Sequence, residues 1–206
     1  LTQEASRKLG FSTQRTMQAA QRLFQEGHIS YHRTDSTTLG DEALAESAHA
    51  IRELFGDDYY SGPRRYATKV KNAQEAHEAI RPTSFTTAPA SLQGVTGDDL
   101  RVYELIWKRT MASQMVDARV LRTTIEISAQ AGAGEQAVFT ASGKAIEFAG
   151  FRRAYVEGSD DPDAELEEQE TVLPALTVGE RIGRDRTRVR LVGLDPKGHE
   201  TTPPAR

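Results

Sequence analysis

Near residue 117 the spacing of apolar residues changes from a helical to a strand-like period. That change limits the chain to an α-rich part followed by a β-rich part. Ahead of it, Ala5 and Leu9 share a helical face that Gly10 closes, and Ser12 can cap a second helix. On that helix Met17, Ala20, Leu23 and Phe24 keep the helical spacing, and Gly27 ends it before an extended Ile29-Ser-Tyr31. Ser36, Thr37 or Thr38 caps a helix through Phe55, with Leu44, Ala48, Ile51 and Phe55 as its buried stripe and Gly56 as its stop. A polar loop through Gly62-Pro63 follows, then a short helix from Gln74 to Arg81 that Pro82 ends. Thr96 and Asp99 form a capping box for a helix from Asp98 to about Met115 that turns Leu100, Tyr103, Trp107 and Met111 to the core. Beyond Ala118, the runs Val120–Ser128, Val138–Thr140, Ala145–Phe148 and Arg186–Val192 read as short strands. Gly132-Ala-Gly134 and Ser142-Gly143 are turn signals between them. The expected organisation is a multidomain α and β chain, with a helical domain over 1–117 and a β-rich domain over 118–206.

The opening string, Ala5-x-x-x-Leu9-Gly-Phe-Ser12 followed by a helix, a Gly and a short strand, is the pattern of a helix-turn-helix with a wing. It would set Thr13, Gln14, Arg15 and Thr16 at the exposed start of the second helix. A helical hairpin inside a bundle fits the same pattern.

Charge leaves nucleic acid open. The net charge of −4 argues against a non-specific polyanion binder, but residues 1–116 balance at 14 basic and 14 acidic. Residues 117–206 hold 12 basic and 16 acidic, and eight of those acids lie between Glu157 and Glu170, as expected of a solvated linker. Arg186, Arg188 and Arg190 alternate with apolar neighbours, which suits either a solvated outer face or one facing phosphate. With no cysteine there is neither a disulfide nor a thiolate zinc site, which suits a cytoplasmic setting. No apolar run approaches the roughly 20 residues that span a bilayer, and no signal peptide opens the chain. The chain starts at Leu1 without an initiator Met, so a piece of a longer polypeptide is expected.

Ile29-Ser-Tyr31-His32-Arg33-Thr34-Asp35-Ser36 is the segment richest in chemistry. In extended backbone, residues two apart point to one side, which would join the Tyr31 hydroxyl to the Arg33 guanidinium with Asp35 next in line. A phenol with a pKa of about 10 is a poor nucleophile unless a cation stabilises the phenolate. The same arginine fork can hold phosphate oxygens whose charge shifts in a transition state, and Asp35 could orient it. By spacing alone, a plain surface contact between Tyr31 and Arg33 is commoner than a catalytic pair. A second cluster, Gln74, His77, Glu78 and Arg81, falls on one helical face and could present His77 and Arg81 to a phosphate. It could as well be an exposed helix with an internal Glu78–Arg81 pair. No second histidine or paired carboxylates stand at ligand spacing, so no metal ligand is assigned.

Residues 29–36 resemble the active-site segment of the type IA DNA topoisomerases. Asn-Ala-Gln-Glu-Ala-His-Glu-Ala-Ile-Arg-Pro-Thr, residues 72–83, resembles that family's second signature at a compatible distance. Leu-Thr-Gln-Glu-Ala-Ser-Arg-Lys-Leu-Gly-Phe at the start resembles the helical segment before its tyrosine. Leu-Asp-Pro-Lys-Gly-His-Glu-Thr-Thr-Pro-Pro-Ala-Arg, residues 194–206, resembles the bacterial members' lead into a DNA-binding helical domain. The resemblance implies that Tyr31 attacks single-stranded DNA to form a 5′-phosphotyrosyl link, so that negatively supercoiled DNA is relaxed without ATP. Arg33 matches the phosphate-stabilising arginine and His77 a histidine beside the scissile strand. Thr16 and Arg206 fall where the family contacts DNA, and Arg15, Asp35 and Arg81 complete the candidate DNA-binding set. The fold implied is a winged-helix-like helical domain with a β-rich arch or hinge domain, in a monomeric, nucleoid-associated cytoplasmic enzyme. His32 stands where relatives often carry Met or Pro. The family's magnesium belongs to an Asp-x-Asp-x-Glu-Gly signature that this sequence lacks, as it lacks the family's glutamate and lysine pair. The chain is therefore expected to be a fragment that carries the nucleophile and relaxes no DNA alone. A winged-helix transcription regulator and an inert structural module are the competing readings.

Overall fold

The computed structural model describes residues 1–66, 77–130, 136–155, 173–174, 176–181 and 189–203. Gln74, the turn at Gly132-Ala-Gly134, the acidic run from Glu157, Arg186, Arg188 and Arg206 lie outside the described residues. The elements are α1 (Thr2–Leu9), α2 (Thr13–Gln25), α3 (Asp41–Phe55), α4 (Gly97–Gln114), β1 (Ala118–Gln130), β2 (Gln136–Phe148) and β3 (Val189–Thr201).

Local chemistry sets the first two helices. Gly10 closes α1 in the left-handed conformation at φ 66, returning its N–H to Ala5 and Ser6 carbonyls. Ser12 caps α2, its hydroxyl accepting the Arg15 N–H at 3.2 Å. α4 is buried on nearly every side, with Val102, Tyr103, Ile106, Trp107 and Met111 at 6% exposure or less. α1, α2 and α3 all pack on it. Its aromatic residues keep their polar tips satisfied: Trp107 Nε1–H donates to the Phe85 carbonyl at 2.9 Å and the Tyr103 hydroxyl to the Thr87 carbonyl at 2.8 Å. Burial raises the Tyr103 phenol to about 12.

In the helical part, four expectations about elements need correction. The Thr96–Asp99 capping box does not form, because Thr96 makes no side-chain cap bond and Asp99 is taken by Arg22. α3 starts at Asp41 behind Gly40, which no neighbouring hydroxyl caps. Residues 77–81 are not helical, since Ala79 and Arg81 spend their backbone groups on distant partners. The short strand expected at Ile29–Tyr31 is reduced to a single antiparallel bridge between Ile29 and Pro82.

The chain divides into two compact units. The first holds Leu1–Asp117 and, among later described residues, 150–155 and 202–203; the second holds Ala118–Ala149 and the described residues from 173 to 201. In the second, an antiparallel sheet runs in the order β2-β1-β3. Ser142-Gly143 is no turn but lies inside β2, opposite Thr124 and Thr123. The stretch from Leu194 likewise belongs to a strand, β3, whose Pro196 faces Thr123. β3 is an edge strand, where a residue without an N–H is tolerated. In the first unit, Gly150–Arg153 forms a 3₁₀ turn behind the Phe151 N–H to Val116 carbonyl bond of 2.9 Å.

Candidate active site

Backbone pairing from a distant segment, rather than a local strand, holds the tyrosine segment. Ser30 N–H donates to the Arg81 carbonyl at 2.9 Å and Thr83 N–H to the His28 carbonyl at 3.0 Å. The Ser30 side chain rivets the two, donating to the Ala79 carbonyl and accepting the Arg81 N–H, each at 2.9 Å. Thr83 adds a hydroxyl bond to the Gly27 carbonyl at 2.7 Å. A third strand of chain joins through the Ala79 N–H to Thr38 carbonyl bond of 2.8 Å. The two motifs, far apart in sequence, are thus one piece of structure.

This stitching brings the Tyr31 and His77 rings to 4.7 Å. Tyr31 is half-buried, and its hydroxyl makes no hydrogen bond among the described residues. Phe24 contacts its ring at 5.5 Å and 74°, an edge-to-face arrangement, and the His32 ring lies 5.7 Å away. Arg33 is exposed and carries no ion pair among the described residues. Tyr31 and Arg33 make no hydrogen bond or cation–π contact with each other among the described residues, and the backbone bends at His32 and Arg33. His32 takes the inner position instead, 3% exposed, with neither ring nitrogen hydrogen-bonded. Burial, and behind it the Arg33 charge, lower its pKa from the usual 6.5.

Asp35 is exposed and unpaired among the described residues, so it does not orient Arg33. With Thr34 and Ser36 it lines a cleft of about 200 Å³ whose other wall includes Glu4, Arg7, Ile80 and Arg109. Behind that wall Glu4 accepts a hydrogen bond from the Tyr155 hydroxyl and lies 3.7 Å from Arg109. Burial, aided by Glu4, pushes the Tyr155 phenol well above its ordinary range.

The other expected DNA ligands are engaged internally. Arg81 donates to Glu78 at 2.7 Å and to the Pro82 carbonyl at 3.1 Å. Glu78 also accepts the Gly40 N–H at 2.9 Å, supplying to α3 the cap that its own sequence lacks. A Cβ on Gly40 would sit 2.1 Å from that Glu78 oxygen, so a larger residue there would push the carboxylate aside. Arg15 is held by both oxygens of Asp98, at 2.6 and 2.7 Å, and stacks over Phe11 at 4.0 Å. Arg22 is held likewise by Asp99, at 2.8 and 2.5 Å. Thr16, expected at an exposed helix start, is fully buried, its hydroxyl donating to the Ser12 carbonyl at 3.0 Å. The inward side of α2 claims it.

Sequence reasoning missed Ser30, Phe24 and the Glu78–Gly40 contact. Ser30 had no signal beyond its place before Tyr31. Phe24 was legible only as core. No three His, Cys, Asp or Glu side chains gather as a metal site among the described residues.

The family model described as DNA topoisomerase matches residues 1–206. The chain is 50% identical to "DNA topoisomerase 1" of Streptomyces coelicolor, over 100% of this chain and 21% of that one. It is 49% identical to the protein of the same name from Synechocystis sp., covering 100% and 22%. Full-length topoisomerase I from Thermotoga maritima shares the fold at a TM-score of 0.59 and 28% identity, over 100% of this chain and 31% of that one. The chain thus spans about a fifth of the length of the named relatives it matches. Matched along its whole length by the family model and identical at about half its positions to bacterial topoisomerase 1 chains, it belongs to the type IA DNA topoisomerase family.

Proposed function

We propose that Tyr31 is the nucleophile of a single-strand DNA transesterification, performed when these residues are joined to the remaining regions of a type IA topoisomerase. The observation that carries the reading is the stitched pair of segments. It sets the Tyr31 ring 4.7 Å from His77 and leaves the Tyr31 hydroxyl without a partner among the described residues. On this reading Tyr31 Oη attacks the phosphorus of a phosphodiester as it gives up its proton. The Oη–P bond forms, the bond to the 3′ oxygen breaks, and that oxygen leaves as a 3′-hydroxyl once protonated. The 5′ phosphate stays on the tyrosine. After the other strand has passed, the 3′-hydroxyl attacks the phosphorus and returns the phenol. Each step exchanges one phosphoester for another, so the bond energy is kept and no ATP is consumed.

Arg33, exposed and unpaired among the described residues, is suited to hold the non-bridging oxygens as charge builds on them. His77 is exposed beside Tyr31 and suited to position the strand. The helical unit would serve as the arm that carries Tyr31 and the sheet as its hinge, with opening of the arch as the strand gate. Substrate would be single-stranded stretches of negatively supercoiled DNA, taken by a monomer. On this reading magnesium would be held by the acidic signature region that this sequence lacks. The 206 residues alone would bind DNA weakly and relax none.

A winged-helix regulator that reads a major groove through Arg15 has less support, because Arg15 is locked to Asp98 and Thr16 is buried. The test supplies the remaining regions and single-stranded DNA labelled downstream of the break. Label is expected to become covalently attached to protein, and Tyr31→Phe to abolish attachment. An adduct that persists in Tyr31→Phe refutes the assignment.

A further inference from the structure

Rings, not hydrogen bonds, decide where Tyr31 points. Its hydroxyl has no partner among the described residues, and its segment bends just after it. Three rings pack against it, His77 at 4.7 Å, Phe24 at 5.5 Å and His32 at 5.7 Å, and Phe24 and His32 lie 5.7 Å from each other.

Phe24 is out of character for α2. Its helical neighbours Ala19, Ala20 and Leu23 are 0% exposed, whereas Phe24 is 37% exposed. A large apolar side chain at a helix end that stays so open adds little to a core. What it does contact is Tyr31, edge to face. The course of the chain makes the contact: Gly27, at φ 78, reverses the backbone, and His28 N–H bonds the Leu23 carbonyl at 2.8 Å. The segment then returns past the last turn of α2. His32 stands against both rings, 5.7 Å from each, as a buried ring with no hydrogen bond of its own, so it fills space and directs nothing by polarity.

We propose that Phe24 is a positioning residue for Tyr31: its ring, backed by His32, restricts the torsions of the Tyr31 side chain and so sets the line along which the hydroxyl meets phosphorus. The inference rests on Tyr31 being the nucleophile. In-line attack tolerates little misdirection, since a displacement of about 1 Å can cost on the order of 100-fold in rate. Phe24 does not touch the phosphate, so its loss acts on the chemical step and spares binding.

The test measures cleavage rate and single-stranded DNA affinity with the rest of the topoisomerase chain supplied, for wild type, Phe24→Leu, Phe24→Tyr and Tyr31→Phe. Phe24→Leu keeps apolar bulk and is expected to slow cleavage by at least about tenfold while affinity stays within about twofold. Phe24→Tyr, which keeps the ring, is expected to restore the rate. An adduct in Tyr31→Phe removes the underlying assignment, whatever Phe24 does. With Tyr31→Phe inactive, the positioning role falls if Phe24→Leu cleaves at the wild-type rate, if it loses rate and affinity equally, or if Phe24→Tyr is as slow as Phe24→Leu. A second readout needs no catalysis and holds even if Phe24→Leu is less stable. In the 206-residue chain, the Tyr31 ring protons should carry a ring-current shift that falls in Phe24→Leu, leaving only what His77 and His32 supply, and that persists in Phe24→Tyr, while those of Tyr103 stay in place. Tyr31 resonances that do not move in Phe24→Leu overturn the proposal.

Discussion

The start of α2 and the segment after it offer the same groups to DNA, basic and hydroxyl side chains on an accessible stretch, and they end up in opposite states. Along α2, Arg15 and Arg22 are each gripped by both oxygens of an aspartate at the head of α4, and Thr16 is buried. These pairs tie two helices together and leave those guanidinium groups turned to their partners. Around Tyr31, by contrast, the backbone just before it is tied to residues 79–83 and the side chains are unspent. Ser30, Ala79, Arg81 and Thr83 fix the chain through main-chain and rivet bonds, while the Tyr31 hydroxyl, Arg33 and Asp35 have no partner among the described residues. Rigid backbone under unspent functional groups is what a site needs; spent groups on a rigid helix make a scaffold.

The largest expected effect separates the two regions by arginine. Arg33→Ala should slow strand cleavage by on the order of 100-fold and weaken single-stranded DNA binding only a few-fold. Arg15→Ala should leave the cleavage rate near wild type. Equal losses of rate and affinity in Arg33→Ala would reduce Arg33 to a binding residue, and a slow Arg15→Ala would erase the contrast.

Next in size is a backbone test. Gly40→Ala forces a Cβ against Glu78 and should break the Glu78–Gly40 bond that joins the second motif to α3. A loss of up to about 1 kcal/mol in urea unfolding is expected; an unchanged midpoint would show that the contact is dispensable.

A smaller effect sharpens the comparison by making the scaffold resemble the site. Asp98→Asn with Asp99→Asn frees Arg15 and Arg22, so DNA affinity should rise a few-fold. The salt dependence should steepen by about 0.7 for each additional phosphate that the freed arginines neutralise. Unchanged affinity would mean that the aspartates do not withhold those arginines from DNA.

The smallest effect concerns His32. Its folded pKa lies below the ordinary 6.5, through burial first and Arg33 second, so on acidification the unfolded chain takes up a proton that the folded chain refuses. The stability contributed by neutral His32 is complete above about 6.5 and falls as pH drops from there toward the lower folded value. The melting temperature should therefore decline below about pH 6.5, and His32→Met should flatten that slope. An unaltered slope would assign the acid sensitivity to other groups.

How much of this was legible follows from how far each partner lies along the chain. Ser12 caps its own helix and Gly10 and Gly56 close theirs, so α1, α2 and the end of α3 could be read locally. The α-to-β order was legible for the same reason. The start of α3 was not, because its cap is Glu78, 38 residues on. The apparent helix at His77–Arg81 yields to backbone pairing with Ser30 and Thr38, which no period in the sequence announces. Ser142-Gly143 looks like a turn alone and is a strand only because β1 lies beside it. In the site, Tyr31 and His77 were found by motif. The bend at Arg33, the burial of His32 and the contact of Phe24 with Tyr31 depend on tertiary packing.

The central claim is that Tyr31 alone receives the phosphate. Covalent complex formed on single-stranded DNA with the remaining regions supplied can be trimmed with nuclease, digested with protease and mapped by mass spectrometry. The account predicts the residual nucleotide, linked through its 5′ phosphate, on Tyr31 within the peptide that spans His28 to Arg33. A nucleotide found on any other residue, or one linked through its 3′ phosphate, would contradict it.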